Sequence, residues 1–153
     1  MAGIVILAVL AALLAPAFAR GARQAKVEAC AANLKAMHQA QASFYAAASG
    51  APELGQAYWA RLTKTSPPLL APATLQCALV DPEGAPAIHY YGPNVDPRAM
   101  KTDDPIGSDM EPNHSPHGHE GGNILLRSGA VVNDNVLLEG GLWGSAVHHW
   151  CRP

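Results

Sequence analysis

Ile4-Val5-Ile6-Leu7-Ala8-Val9-Leu10-Ala11-Ala12-Leu13-Leu14 lies at the start of the chain, and its passage into the next thirty residues decides the fold. No charged side chain occurs from Met1 to Ala19. At ~1.5 Å per helical residue that stretch spans ~28 Å, close to the hydrocarbon core of a bilayer. Arg20, Arg23 and Lys26 come next, ahead of the first acidic residue, Glu28. From Arg20 to Ser49 there is no proline and only one glycine, Gly21, while alanine, the strongest helix former, is abundant. Val27, Cys30, Ala31, Leu34, Met37, Gln41, Phe44, Tyr45 and Ala48 recur at spacings of three and four, one face of a helix broken only by Gln41. Gly50, Pro52 and Gly55 end it. The apolar run therefore flows into an amphipathic helix, and together they form a rod of ~70 Å.

The apolar run has two physical readings. Ala17-Phe18-Ala19 fits the small-x-small pattern of a signal-peptide cleavage site, but no Lys or Arg precedes the run. A retained membrane helix is the other, with Pro16 removing one backbone donor, as lipid-buried helices tolerate. The basic residues after the run by themselves favour a cytoplasmic C-terminal side, in conflict with export. The direct passage into a second, amphipathic half favours an anchored rod: residues 1–19 as transmembrane and assembly half, residues 20–49 as amphipathic half, residues 50–153 as a globular part.

That globular part is loop-rich. Pro52, Pro67, Pro68, Pro72, Pro82 and Pro86 interrupt it, and Pro67-Pro68 forbids regular helix there. A short helix is predicted over Gln56 to Leu62. Strands are predicted over Ala87 to Tyr91, Asn123 to Leu126, Ala130 to Val132 and Asn135 to Leu138, with turns at Gly92-Pro93, Ser128-Gly129 and Asn133-Asp134. Residues 93–122, rich in Pro, Gly, Asp and His, read as one long loop. Short strands cannot make a core alone, so the amphipathic helix face must supply part of it. The expectation is an α+β fold: a long N-terminal helix packed against a small antiparallel sheet.

Composition limits function. The 153 residues are 49% hydrophobic and only 14% charged, with ten basic against twelve acidic side chains. No strong field results, so binding of nucleic acid through phosphate neutralisation is not expected. Three cysteines are too few for a disulfide scaffold.

Ala11-Ala12-Leu13-Leu14-Ala15-Pro16-Ala17-Phe18, a basic segment, and then Cys30-Ala31-Ala32-Asn33-Leu34-Lys35-Ala36-Met37 resemble the N-terminal helix of type IV pilin-like proteins. More narrowly, they resemble the bacterial type II secretion pseudopilin-like group with a prepilin-type cleavage and methylation N-terminus. Cys77, Asp81-Pro82 and Ile88-His89-Tyr90-Tyr91-Gly92-Pro93-Asn94 are similar to the group's cysteine-to-tyrosine strand region. Asn113-His114 and Gly121-Gly122-Asn123-Ile124-Leu125-Leu126-Arg127-Ser128-Gly129-Ala130-Val131 are similar to its C-terminal hairpin. The family's Gly and Phe-Thr-Leu-Ile-Glu-like start is absent, which places the matching start upstream of Met1 or marks lost processing. Ser128 and Ala130 stand where the family tends to have Asp and His.

The resemblance implies a non-enzymatic, single-pass protein of the bacterial cytoplasmic membrane with its globular part outside. It would pack into a filament or pseudopilus through Ile4, Leu7, Leu10, Leu14 and Pro16. Its partners would be other pilin-like subunits and the secretion and assembly machinery. The alternative is a secreted metal- or carbohydrate-binding module with a cleaved signal peptide.

Candidate chemistry is sparse. His114, His117 and His119 offer nitrogen donors suited to a transition metal, without a helical metal motif. Asp103, Asp104, Asp109 and Glu111 offer oxygens for calcium, used by some major pseudopilins in a C-terminal loop, but match no EF-hand register. No resident cofactor is expected. In an exported domain two of Cys30, Cys77 and Cys151 can pair: Cys77 with Cys151, or Cys30 with Cys77. Ser145 with His148, His149 and Asp134 supplies triad residue types without a nucleophile elbow. Trp143 and Trp150 read as core or interface residues.

Overall fold

The computed structural model describes residues 2–47, 50–80, 87–110, 122–133 and 151–152, and for residues 2–9 and 152 the backbone alone. Helix α1 runs unbroken over Ala2–Ala47 and contains Pro16. Helix α2 is Gln56–Ala60, continued by a 3-10 turn at Arg61–Thr63. A second 3-10 turn, Pro72–Leu75, starts on the proline whose missing N–H is an orphan at that position anyway.

The strands are β1 Tyr90–Pro93, β2 Pro105–Asp109, β3 Asn123–Leu126, β4 Val131–Asn133 and the two-residue β5 Cys151–Arg152. The order across the sheet is β4-β3-β2-β1-β5, all neighbours antiparallel. The architecture is α+β, a long helix against a small antiparallel sheet.

Three expectations need correction. The strand predicted over Ala87 to Tyr91 begins at Tyr90 and runs through Gly92-Pro93, because these two residues pair with Arg152 and Cys151 of β5, a partner far along the chain. Residues 93–122 hold a strand, β2. It escaped the pattern because Pro-Ile-Gly-Ser-Asp shows no alternation: all five residues are buried, Ser108 and Asp109 included. Its Gly107 is dictated by packing, since a Cβ there would lie 2.8 Å from the Trp59 ring. The strand predicted from Ala130 starts one residue later, at Val131. Ala130 instead closes the hairpin, its carbonyl accepting from Leu126 N–H, after Gly129 takes the left-handed φ of 85°. The strand predicted over Asn135 to Leu138 lies outside the described residues.

The core is shared, as the short strands require. Cys30, Leu34, Met37 and Ala40 of α1 meet Tyr58, Trp59 and Leu62, then Leu70, Leu75 and Cys77, and Tyr90, Ile106 and Leu125 of the sheet. Gln41, the polar break in the helix stripe, is buried with them. Asn123 ties sheet to helix: its side-chain amide donates to Val27 O, and its backbone N–H donates to Asp109 Oδ2. Asn33 donates to Gln76 O and to the Tyr90 hydroxyl.

Candidate assembly surface

Helix α1 changes environment partway along. Every described side chain from Leu10 to Ala22 is exposed, and the first fully buried one is Cys30. By the helical rise, those thirteen residues carry the helix about 20 Å past the globular part. The exposed stretch is apolar: Leu13 is 69% exposed and Phe18 73%, with Leu10 and Leu14 about half. Such side chains are normally inside a protein; a run of them on one projecting element marks a surface that meets something other than water. Ala11, Ala12, Ala15, Ala17 and Ala19 lie among them, so a second helix can approach closely.

Of the predicted assembly residues, Leu10 and Leu14 are exposed on this stretch and Pro16 lies inside the continuous helix. The side chains of Ile4 and Leu7 lie outside the described residues. Among the described residues no helix is long and apolar enough to cross a membrane.

The cysteines divide into two environments. Cys30 on α1 and Cys77, two residues past the Pro72–Leu75 turn, come together with Asp109 of β2. The two sulfurs and a carboxylate oxygen lie within 4.8 Å of one another, all three side chains buried. A hydrogen bond to Cys30 and then burial push the Cys77 thiol far up from its ordinary range. Burial also pushes the Tyr90 hydroxyl up; Cys30 beside it adds to the shift. The Cys77 backbone N–H donates to His89 Nδ1, which fixes the loop end against β1.

Cys151 belongs to a separate cluster with Ile124, its thiol on Pro105 O, and burial pushes it up to about 12. The structure therefore brings together Cys30 and Cys77, not the Cys77 and Cys151 of the first pairing considered. Sequence spacing carried no signal for this, because the loop from Gly50 to Cys77 has no period from which its path can be read.

Among the described residues the remaining candidates do not converge. Asp103 is exposed, Asp104 caps a turn by accepting from Lys101 N–H, and Asp109 is buried at the thiols. His114, His117, His119, Glu111, Asp134, Trp143, Ser145, His148, His149 and Trp150 lie outside the described residues.

Two features were not anticipated. Arg61 stands among three rings, its Cζ 4.6 Å from Phe44, 5.2 Å from Tyr45 and 4.8 Å from Tyr58, so its charge is held by aromatic faces. Beside it a cavity of about 150 Å³ is lined by His38, Gln41, Tyr45, Tyr58, Arg98 and Arg127. The mixed spacing of Phe44, Tyr45 and Tyr58 with Arg61 was the available signal for the cage.

Comparison with known proteins finds nothing similar: no family model, no curated protein and no solved structure matches this chain.

Proposed function

We propose that this chain is a pilin-like, pseudopilin-type structural subunit. Residues 1–19 anchor it in the bacterial cytoplasmic membrane, its globular part lies outside, and it assembles into a filament or pseudopilus through its N-terminal helix. One observation carries the reading: a single helix of 46 residues has one half inside the core and leaves Leu10, Leu13, Leu14 and Phe18 exposed on the other. Fully burying a large apolar side chain is worth ~1.5–3 kcal/mol, and these four, each half to three-quarters exposed, together favour burial by roughly 4–7 kcal/mol. Lipid satisfies that surface in storage, and neighbouring helices satisfy it in the assembly. The work is association through apolar surface and shape, with no bond made or broken. Other copies or related pilin-like subunits, and the machinery that inserts and stacks them, are the partners.

The test is fractionation of cells producing the full chain, with a photo-crosslinking residue in place of Leu13. The chain is expected in the membrane pellet after carbonate washing, with crosslinks to a second helix of the same kind. A soluble monomer whose first residue is Arg20 would sink the proposal and favour the secreted module instead.

A further inference from the structure

The contact between Cys30 and Cys77 joins the two halves of the molecule where it most needs joining. Cys30 is the first fully buried of the described side chains of α1, one turn past Val27, whose carbonyl accepts from Asn123 of the sheet. Cys77 lies within the long proline-rich connection from α2 to the sheet, two residues past the Pro72–Leu75 turn. The two sulfurs lie within 4.8 Å of each other and are sealed from solvent, at 0% and 3% exposure. We propose that Cys30 and Cys77 form a disulfide that fastens the assembly helix to the globular domain, while Cys151 stays a free buried thiol.

The chemistry balances by thiol–disulfide exchange. One thiolate attacks a sulfur of a small or protein disulfide oxidant, releasing one thiol and leaving a mixed disulfide. The second thiolate attacks the chain's own sulfur in that mixed disulfide and displaces the oxidant's second thiol. Two protons and two electrons leave the chain, and one oxidant disulfide becomes two thiols. The suppressed ionisation of the buried Cys77 thiol makes this slow once the core has closed, so the bond forms as the loop docks. A formed bond is then shielded from reductants by the same burial.

The cluster favours this over a metal centre. Cys30, Cys77 and Asp109 are three donors, and a closed zinc site takes four. Asp109 Oδ2 already accepts from Asn123 N–H, at 2.8 Å. Burial of all three side chains leaves no open side for water as the fourth ligand.

For its oxidising compartment the inference rests on the location proposed above; the geometry of the pair does not. Full-length chain purified in non-ionic detergent is reduced, unfolded in urea and refolded in the same detergent with oxidised glutathione, then quenched in acid and capped with iodoacetamide in denaturant at mildly alkaline pH. Peptide mass spectrometry is expected to show one capped thiol, Cys151, and a Cys30–Cys77 linked peptide lighter by two hydrogens. Cys151→Ser should keep the link, and Cys30→Ser should abolish it without creating another. Three capped thiols at the oxidising limit would overturn the proposal, as would a link containing Cys151. One bound zinc per chain with three capped thiols would overturn it in favour of a metal centre. Capping in intact cells reads the compartment separately: a link formed in glutathione but absent in cells supports the bond and refutes the external location.

Discussion

Replacing Gly92 with alanine strikes the joint between α2 and the sheet. A Cβ on Gly92 would lie 1.9 Å from the carbonyl oxygen of Gly55 and 2.6 Å from its carbon, both backbone atoms. Ordinary carbon–oxygen contact needs ~3.3 Å, so the two segments must part by more than about 1 Å. The Gly55 N–H that donates to Pro93 O at 2.8 Å would then lose its partner. The same Gly55 oxygen accepts from Tyr58 N–H at the start of α2, so that bond is strained too. Crowding against backbone costs ~1–3 kcal/mol, and a buried donor left unsatisfied costs ~1–3 kcal/mol. The sum, about 2–6 kcal/mol, is a large part of a typical stability of ~5–15 kcal/mol. Urea unfolding of the full chain in detergent, followed by tryptophan fluorescence, measures it, since Trp59 is fully buried beside the joint. With a slope of ~2 kcal/mol/M the midpoint should fall by at least about 1 M. Gly50→Ala is the control: no atom lies within 4 Å of its Cβ position, and its midpoint should hold. Equal midpoints for Gly92→Ala and the unaltered chain would refute the packing argument.

Gly129→Ala should cost about 1–2 kcal/mol in the same titration, because φ is 85° and the new Cβ meets the His38 ring at 2.7 Å. Burial lowers the pKa of His38 from 6.5, so the folded state resists its protonation while the unfolded chain does not. Stability tied to His38 is therefore full above pH 6.5 and lost as pH falls through that value toward the lowered one. A pH series of urea midpoints should show the loss, and His38→Gln should remove that component. Leu13→Asp with Leu14→Asp places two charges on the exposed apolar helix, at ~2.5–3.5 kcal/mol each in a lipid interior. The chain should shift from membrane to soluble fraction, and retention in the membrane would contradict the anchoring role. If Cys30 and Cys77 are linked, closing a loop of about 47 residues stabilises by ~4 kcal/mol in the chain-entropy account, so reductant should lower the urea midpoint by about 2 M.

The long helix was legible because its signal is local. Alanine content, absence of proline after Pro16, and the stripe from Cys30 to Met37 each depend only on neighbours in sequence. The hairpin of β3 and β4 was legible for the same reason, Gly129 marking its turn. Strand β2 was not, because Ser108 and Asp109 are polar yet buried, and the Asn123 N–H from which Asp109 accepts lies fourteen residues away. A pattern of apolar and polar residues has no term for such partners. The site divides the same way. The exposed Leu13 and Phe18 follow from a run longer than its domain needs. The meeting of Cys30 with Cys77 depends on the path of a connection whose prolines punctuate it without saying where it goes.

An unbroken helix also fixes an angle. From Phe18 to Cys30 nothing interrupts α1, so the direction in which Phe18 points sets the compass bearing of the whole sheet. One residue inserted between Ala22 and Val27 would turn the globular part by ~100° about the helix and lift it by ~1.5 Å. Seven inserted residues would lift it by ~10 Å yet return it to within ~20° of its first heading. Any lattice built on the exposed half would thus dictate which face of the sheet looks outward, and the spacing of residues along one helix would be the gauge that sets it.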